Sequence, residues 1–571
     1  MKDCTARALL RRLVKGSLAA PVFAIAVVPI GHTQVLGPLV QVTGPDPFAS
    51  CTSDRVSQQE TTYGSTLYLN TAIEPWVAVE PTNPSRLLVG HQQDRWSDGG
   101  ARGDIDAISN DGGGTWTNPL PANPPDVTAC TGGKALRASD PWVAFANDGT
   151  AFFMSLFFDP AKPTTPFGGR KGGMLMSRST DHGATWSGPI ALITNNSPHV
   201  LDDKNSVTAD PTDNGLVYAV WDELSVFPHT VEGAALLGQN DGVAIARDLL
   251  HSAVGSSAVC APFNKPPCKG GAPVYKFNYT GPSLLSMTTN NGLGWSKPTT
   301  IVNTGTNQQT INNLVQVRPN GDVYDFFTAI GKGFGPTELD IGFVKSLDKG
   351  VLWSAPAFAT DIQVAGVVTP DAGQAVRDAS ILFAVSVNPV SGAIYLTLQD
   401  DRFSTANCIT PGTPSPGIPI DSIAFSQSAD GGATWSTPVM INKTPVNAAN
   451  PCRQQAFIPA VVATGDGKTV AVTYYDFRND ANTPAGFEAT DYFAVFCSTS
   501  TDCSNPANWG AEQRLTAASF NILDAPVAGG HFLGDYMGLA ASGPTTVYPV
   551  FGVTTGHNMT ADFTRKISGL P

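Results

Sequence analysis

The chain has 571 residues, with 34 Lys and Arg against 47 Asp and Glu, a net charge of −13 and a pI near 5.0. That balance lacks the basic stripe of a nucleic-acid binder, so no nucleic-acid partner is expected. Only 14% of residues are charged and 42% are hydrophobic, while 57 Gly and 45 Pro supply abundant turn chemistry. Such a chain can bury a large core and reads as all-β.

Residues 1–31 read as an export signal. Lys2, Arg7, Arg11, Arg12 and Lys15 form a basic start, and Leu18 to Ile30 is a short apolar run broken by Pro21 and Pro29. Ala24-Ile25-Ala26 offers a small-x-small cleavage site. No later apolar run reaches the roughly 20 residues that span a bilayer, so no membrane contact is expected after signal removal. The expected location is secreted or periplasmic. Beyond the signal stand eight cysteines, at 51, 130, 260, 268, 408, 452, 497 and 503. Eight cysteines leave the pairing open, and nearest-neighbour disulfides (51–130, 260–268, 408–452, 497–503) are the simplest pattern. Cys/His spacing suggests no zinc, and no cofactor motif is present, so the expectation is no cofactor and no metal.

Residues 32–73 form an N-terminal segment that could supply a closing strand. From residue 74 onward an apolar strand, a polar turn and a second apolar strand recur. The copies begin near Pro75, Pro141, Ser206, Asn313, Ile381, Ile458 and Met537. The third unit is longer, with an insertion at 223–285 that contains Cys260 and Cys268.

A second pattern, Ser/Thr-x-Asp-x-Gly-x-x-Trp, ends at Trp116, Trp186, Trp353 and Trp435, with an Asn-containing copy ending at Trp295 and a degenerate sixth at Trp509. Its physics is a hairpin turn. The Asp accepts backbone N–H bonds, Gly supplies positive φ, and Trp packs across the turn. Boxes at this spacing resemble those of the Asp-box (BNR-repeat) sialidase-like proteins, over about residues 74–551. The resemblance implies a β-propeller over 74–571, with seven blades favoured and six as the alternative. It also implies a glycan or glycoconjugate substrate and an activity like that of an exo-α-sialidase or related glycoside hydrolase. The rival is a non-catalytic propeller that binds glycan or protein.

Propeller geometry puts the strand ends opposite the boxes at the mouth of the axis. Those ends are rich in charge: Asp94-Arg95, Asp140, Asp203, Asp400-Asp401-Arg402, Asp476-Phe477-Arg478 and Asp535-Tyr536. Asp535-Tyr536-Met537-Gly538-Leu539 resembles the Tyr-x-x-Leu segment of sialidases, which implies Tyr536 as nucleophile. The loop after the first hairpin implies Asp98 as acid/base. Arg95, Arg402 and Arg478 are the expected anion clamp, with Asp140 and Asp203 as further substrate-binding residues. Two features depart from sialidases: Glu74-Pro75-Trp76 stands in place of Arg-Ile-Pro, and Ile311 to Leu314 carries no carboxylate.

Overall fold

A computed structural model describes residues 34–118, 125–160, 171–197, 199–228, 277–410, 417–481 and 483–570. The export signal and the expected Cys260–Cys268 bridge lie outside these residues. Alternating Val, Ile, Phe and Tyr runs, cut by Gly, Asn and Asp turns, leave the chain little choice but antiparallel sheet.

Among the described residues, seven meandering units follow one another. The first holds Ala72–Val79, Leu87–Arg95 and Ala101–Ser109, with Thr117 bridging back to Ile108. The second holds Arg137–Phe145, Ala151–Phe158, Gly172–Ser179 and Ile190–Asn195. The third runs Val200–Ala209, Val217–Pro228, Ser283–Thr288 and Thr299–Val302. The fourth runs Gln308–Val317, Val323–Ile330, Leu339–Ser346 and Ala357–Asp361. In the fifth, Phe383–Val387, Ile394–Asp400, Ser422–Ser428 and Val439–Met440 pair in order. The sixth repeats this with Ala456–Ala463, Thr469–Asp476, Ala489–Ser498 and Gln513–Arg514. In the seventh, Gly538–Ser542, Thr546–Gly556 and Met559–Ser568 are completed by Val35–Gln41 from the N-terminal segment. Each innermost strand contacts the next, and the seventh contacts the first, so the units form a closed ring.

The repeated turns form as their chemistry requires. Asp111 accepts Thr115 N at 2.9 Å, and Ser109 Oγ accepts Gly113 N at 2.9 Å. The same bonds recur around Asp181 and Asp348. The box glycines Gly113, Gly183, Gly292, Gly350 and Gly432 all have φ between 80° and 93°, where any Cβ is strained. In the fifth unit the Thr434 hydroxyl, then the Thr434 backbone N–H and the Ser428 hydroxyl, hold the exposed Asp430 carboxyl down at about 2.

Trp353 bonds within its own turn as expected, donating from Nε1 to the Gly350 carbonyl at 3.1 Å, while other box tryptophans reach a neighbouring unit. Trp186 of the second unit donates from Nε1 to Asp106 of the first at 3.2 Å. Trp295 of the third meets Phe152 of the second edge-on, and Trp435 of the fifth does the same to Phe326 of the fourth. Each reaches back to the preceding unit. In the sixth unit the Cys497–Cys503 disulfide closes the turn, and Trp509 packs on Phe425 of the fifth. The residue after the box Asp also reaches back, in the left-handed conformation. His182 Nδ1 lies 3.0 Å from Glu80, Asn291 bonds Asp148 at 2.6 Å, and Lys349 bonds Asp210 at 3.0 Å. Two further bridges, Cys51–Cys130 and Cys408–Cys452, match the nearest-neighbour pattern.

Trp186→Ala is expected to cost about 3–5 kcal/mol, because it opens a cavity between two units and strips the donor from Asp106. Urea unfolding of both proteins measures this. Asp562 is fully buried, with neither carboxyl oxygen bonded among the described residues. Burial pushes it up to about 8. The native state therefore holds a proton that the unfolded chain releases near pH 4, and Asp562 lowers stability as pH rises from about 4 to 8. That slope reaches at most about 1.4 kcal/mol per pH unit. Asp562→Asn is expected to flatten the fall in melting temperature across this window.

Candidate functional site at the ring axis

The innermost strands share a local irregularity. Pairing shifts register after Ile73, Ser139, Ile311 and Phe457, and in the third unit opposite Val220 and Asp222. At these bulges Glu74, Asp140, Lys204, Asn312 and Ile458 take positive φ, between 44° and 65°. A bulge re-aims a side chain, and left-handed backbone costs about 1–2 kcal/mol for a residue other than Gly. In three units the re-aimed residue is charged, and those charges meet.

Lys204 Nζ lies 3.0 Å from Asp140, 2.8 Å from Asp535 and 3.8 Å from Glu74. Arg377, from the segment leading into the fifth unit, donates to Asp535 Oδ1 at 2.8 Å. Glu74 accepts the Asp535 backbone N–H at 3.1 Å and also a bond from Gln92. All five charged side chains are buried.

Burial sets the protonation states, and the neighbours then divide them. Burial raises Glu74, and with Asp140 and Asp535 nearby it reaches about 8 despite Lys204. Asp535 is pushed up by burial too, yet Arg377 and Lys204 hold it well below the carboxylate range. Burial opposes the Lys204 ammonium, while Asp140, Asp535 and Glu74 keep it charged above its ordinary range. At neutral pH, Glu74 is protonated and Asp535 is ionised.

Tyr536 stands beside this network. Its hydroxyl donates to the Pro141 carbonyl at 3.2 Å, and Lys204 Nζ lies 5.7 Å from its ring centroid. The ring meets Trp76 and Trp142, which stack on each other at 3.6 Å. Burial and then the charges of Glu74 and Asp140 raise its phenol well above the usual value. A cavity of about 330 Å³ runs along the inner strands from this aromatic group toward Val79, Phe145 and Val462.

The other sequence-selected residues are placed elsewhere. Asp98 accepts Arg137 Nη1 at 2.6 Å, and Arg137 also binds Ser65 and Gly99 of the surrounding loops. The hydrogen bonds of Asp98 and Tyr536 share no residue. Arg95 donates to Gln92 Oε1 at 2.7 Å and lies 4.9 Å from the Phe532 centroid, with Arg377 4.2 Å from the same ring. Arg402 turns back onto Asp400 at 2.7 Å and reaches the Asp361 carbonyl of the fourth unit at 2.8 Å. Arg478 turns back onto Asp476 at 2.6 Å and also binds Glu512. These arginines belong to the first, fifth and sixth units, and each is engaged where it stands. Asp140 joins the axial network, while Asp203 faces Asp222 across the third unit. Sequence reasoning placed Glu74, Lys204 and Arg377 among the charged strand starts without individual roles, and gave Trp76 and Trp142 no role. The shared starts Glu74-Pro75-Trp76 and Asp140-Pro141-Trp142 are the signal that could have found most of them.

Among the described residues, the His/Cys/Asp/Glu group close enough to hold an ion is Cys51, Asp54 and Cys130, and both cysteines are in a disulfide. No described helix is long and apolar enough to cross a membrane.

Neither a protein-family model nor a curated protein sequence matches the chain. Solved structures give distant likenesses. A Dyadobacter fermentans protein of unknown function is 14% identical, covering 76% of this chain and 97% of its own, with a TM-score of 0.40. A Hadza microbial sialidase is 14% identical over 85% of this chain and 74% of its own, with a TM-score of 0.39. An α-L-arabinanase of Penicillium chrysogenum is 10% identical over 93% of this chain and 98% of its own, with a TM-score of 0.38. Scores this low carry no argument about activity.

Lys204→Met leaves Asp140 and Asp535 short of a buried counter-ion. It is expected to cost about 3–5 kcal/mol in denaturant unfolding, well beyond Arg402→Met at its half-buried site.

Proposed function

We propose that the protein is a secreted or periplasmic seven-bladed β-propeller that acts on a glycan as a glycoside hydrolase, with the axial cluster as its active centre. The observation that carries this reading is geometric: Asp535 and Tyr536 line one end of the axial cavity, and Glu74, whose carboxyl is raised to about 8, accepts the Asp535 backbone N–H behind them. Two carboxyl groups whose surroundings push them apart are the apparatus of acid–base catalysis at a glycosidic bond. The disulfides support an oxidising compartment.

In this reading Tyr536 is the nucleophile, its proton passes to Glu74, and Glu74 delivers that proton to the leaving-group oxygen in the acid/base role expected of Asp98. Glu74 can accept that proton only once its own has left, so turnover rises with pH through about 8. The α-sialosidase form of the reading needs a cationic clamp for the substrate carboxylate. Arg402 and Arg478 are each spent on carboxylates of their own units.

One observation favours a non-catalytic glycan-binding propeller instead. Asp98, Arg402, Arg478 and the Tyr536 hydroxyl each already serve a structural bond.

One assay separates the two readings. The signal-free protein is offered fluorogenic α-sialosides, neutral glycosides and amino-sugar glycosides between pH 5 and 9, with Tyr536→Phe as control. The hydrolase reading expects turnover of at least one substrate, rising toward pH 8 and reduced at least a hundredfold in Tyr536→Phe. A folded protein inert on the whole panel establishes the binding propeller.

A further inference from the structure

The polar side chains on the wall of the axial cavity are spent on joining one unit to the next. Ser206 and Thr208 of the third unit donate to the Asn313 and Val315 carbonyls of the fourth, at 2.7 and 3.0 Å. Asn312 of the fourth donates to the Phe383 carbonyl of the fifth at 2.9 Å. Ser386 of the fifth accepts the Ala463 N–H of the sixth at 3.0 Å. Gln399 is held between Asp378 and Asp421, and the Tyr536 hydroxyl donates to the Pro141 carbonyl. Among the described lining amides and hydroxyls, Gln316, half-buried toward the far end, is the one without such a bond.

The charges are spent as well. No Lys, Arg or His is among the described residues that line the cavity. Asp535 pairs with Lys204 and Arg377, and Asp378 accepts Gln399 Nε2 and the Ser380 N–H. What the wall still offers is hydrocarbon. Trp76, Trp142 and Tyr536 stand at one end, and Val, Ala and Leu side chains continue from there along the strands. The volume of about 330 Å³ lies at the lower end of small-ligand sites.

These facts sort the possible occupants. A sugar ring pushed along the cavity brings several hydroxyls to partners already taken, and each buried hydroxyl left unpaired costs free energy. An ionised group loses its water and meets charges that are already committed. A hydrocarbon group gains by leaving water and needs no partner.

We propose that the axial cavity holds the uncharged hydrocarbon part of the ligand, the alkyl or aryl group of a glycoside, with the attached sugar at the Tyr536 end. That the ligand is a glycoside rests on the glycan-acting reading, whereas the hydrocarbon site does not.

Fluorescence titration of the signal-free protein with N-phenyl-1-naphthylamine, an uncharged probe that brightens in apolar surroundings, tests this. One probe per chain is expected to bind. n-Octyl glucoside below its micelle concentration, or phenyl glucoside, is expected to displace it at least tenfold more effectively than methyl glucoside. Which of the two does so separates an alkyl from an aryl ligand. Ala144→Trp and Ala209→Trp fill the cavity at two half-buried lining positions, and each is expected to weaken probe binding at least tenfold. Leu293 and Leu347 are exposed on the turn tips of the third and fourth units, and Leu293→Ser with Leu347→Ser is expected to leave binding unchanged. Melting curves establish which variants are folded. The glucoside competition, run on the unaltered protein, decides if neither tryptophan variant folds.

Four results overturn the proposal: no probe binding, undiminished binding in a folded tryptophan variant, loss of binding in the folded leucine variant, or methyl glucoside competing as well as the other two. The two levels of inference fail separately. Turnover of a glycoside without probe binding removes this proposal and keeps the hydrolase. Probe binding displaced by octyl or phenyl glucoside, without turnover of any glycoside, keeps the cavity assignment and removes the hydrolase.

Discussion

The structure turns on one buried ammonium. Lys204 of the third unit draws together Glu74 of the first, Asp140 of the second and Asp535 of the seventh. The strands that carry these groups are bulged, and three of the residues sit in left-handed backbone that a β-strand does not favour. That strain is offset only if the bulge delivers its side chain to a partner. The partners exist only when the ring is closed, because the seventh unit must lie beside the first before Asp535 reaches Glu74 and Lys204. Desolvating these charges is costly, and removing any one strands the others. Closure of the ring and formation of the network are therefore one event.

Away from the axis the units hold each other by different means. Trp186, Trp295 and Trp435 contact the preceding unit, and Asn291 and Lys349 of the third and fourth turns bond the first turn of the unit before. The apolar contact supplies most of the free energy, and the polar one sets register, since an unsatisfied Asp106 or Glu80 would penalise a slipped blade. The sixth unit lacks the motif and keeps the tryptophan, with a disulfide in place of the turn's hydrogen bonds. The seventh takes its last strand from the N-terminal segment, which ties the two ends of the described chain together.

Local features were legible in the sequence. The box turn needs Asp, Gly and Ser within a few residues, so its geometry is written in its spacing. The strand pairs were legible for the same reason. The sequence marks the strand ends as charge-rich, but the partner that each charge finds is not written there. Arg402 and Arg478 sit two residues after an aspartate, close enough for the guanidinium to fold back onto it. Spacing alone does not say whether an arginine does this or reaches across the mouth. Asp98 had the same ambiguity, resolved by Arg137 of the next unit. Lys204 stands among the charged strand starts in the sequence, but its pairing with Asp535, 331 residues away, is not written there.

The sequence by itself determined the all-β character, the repeated units and the turns between their outer strands. Each depends on residues near one another in the chain, or on a period that repeats. The tertiary structure alone decided which cysteines pair among the described residues, which charges meet at the axis and which arginines are spent on neighbouring carboxylates. Those outcomes depend on burial and on distances across the ring, and both come into being only when the first and last units close on each other.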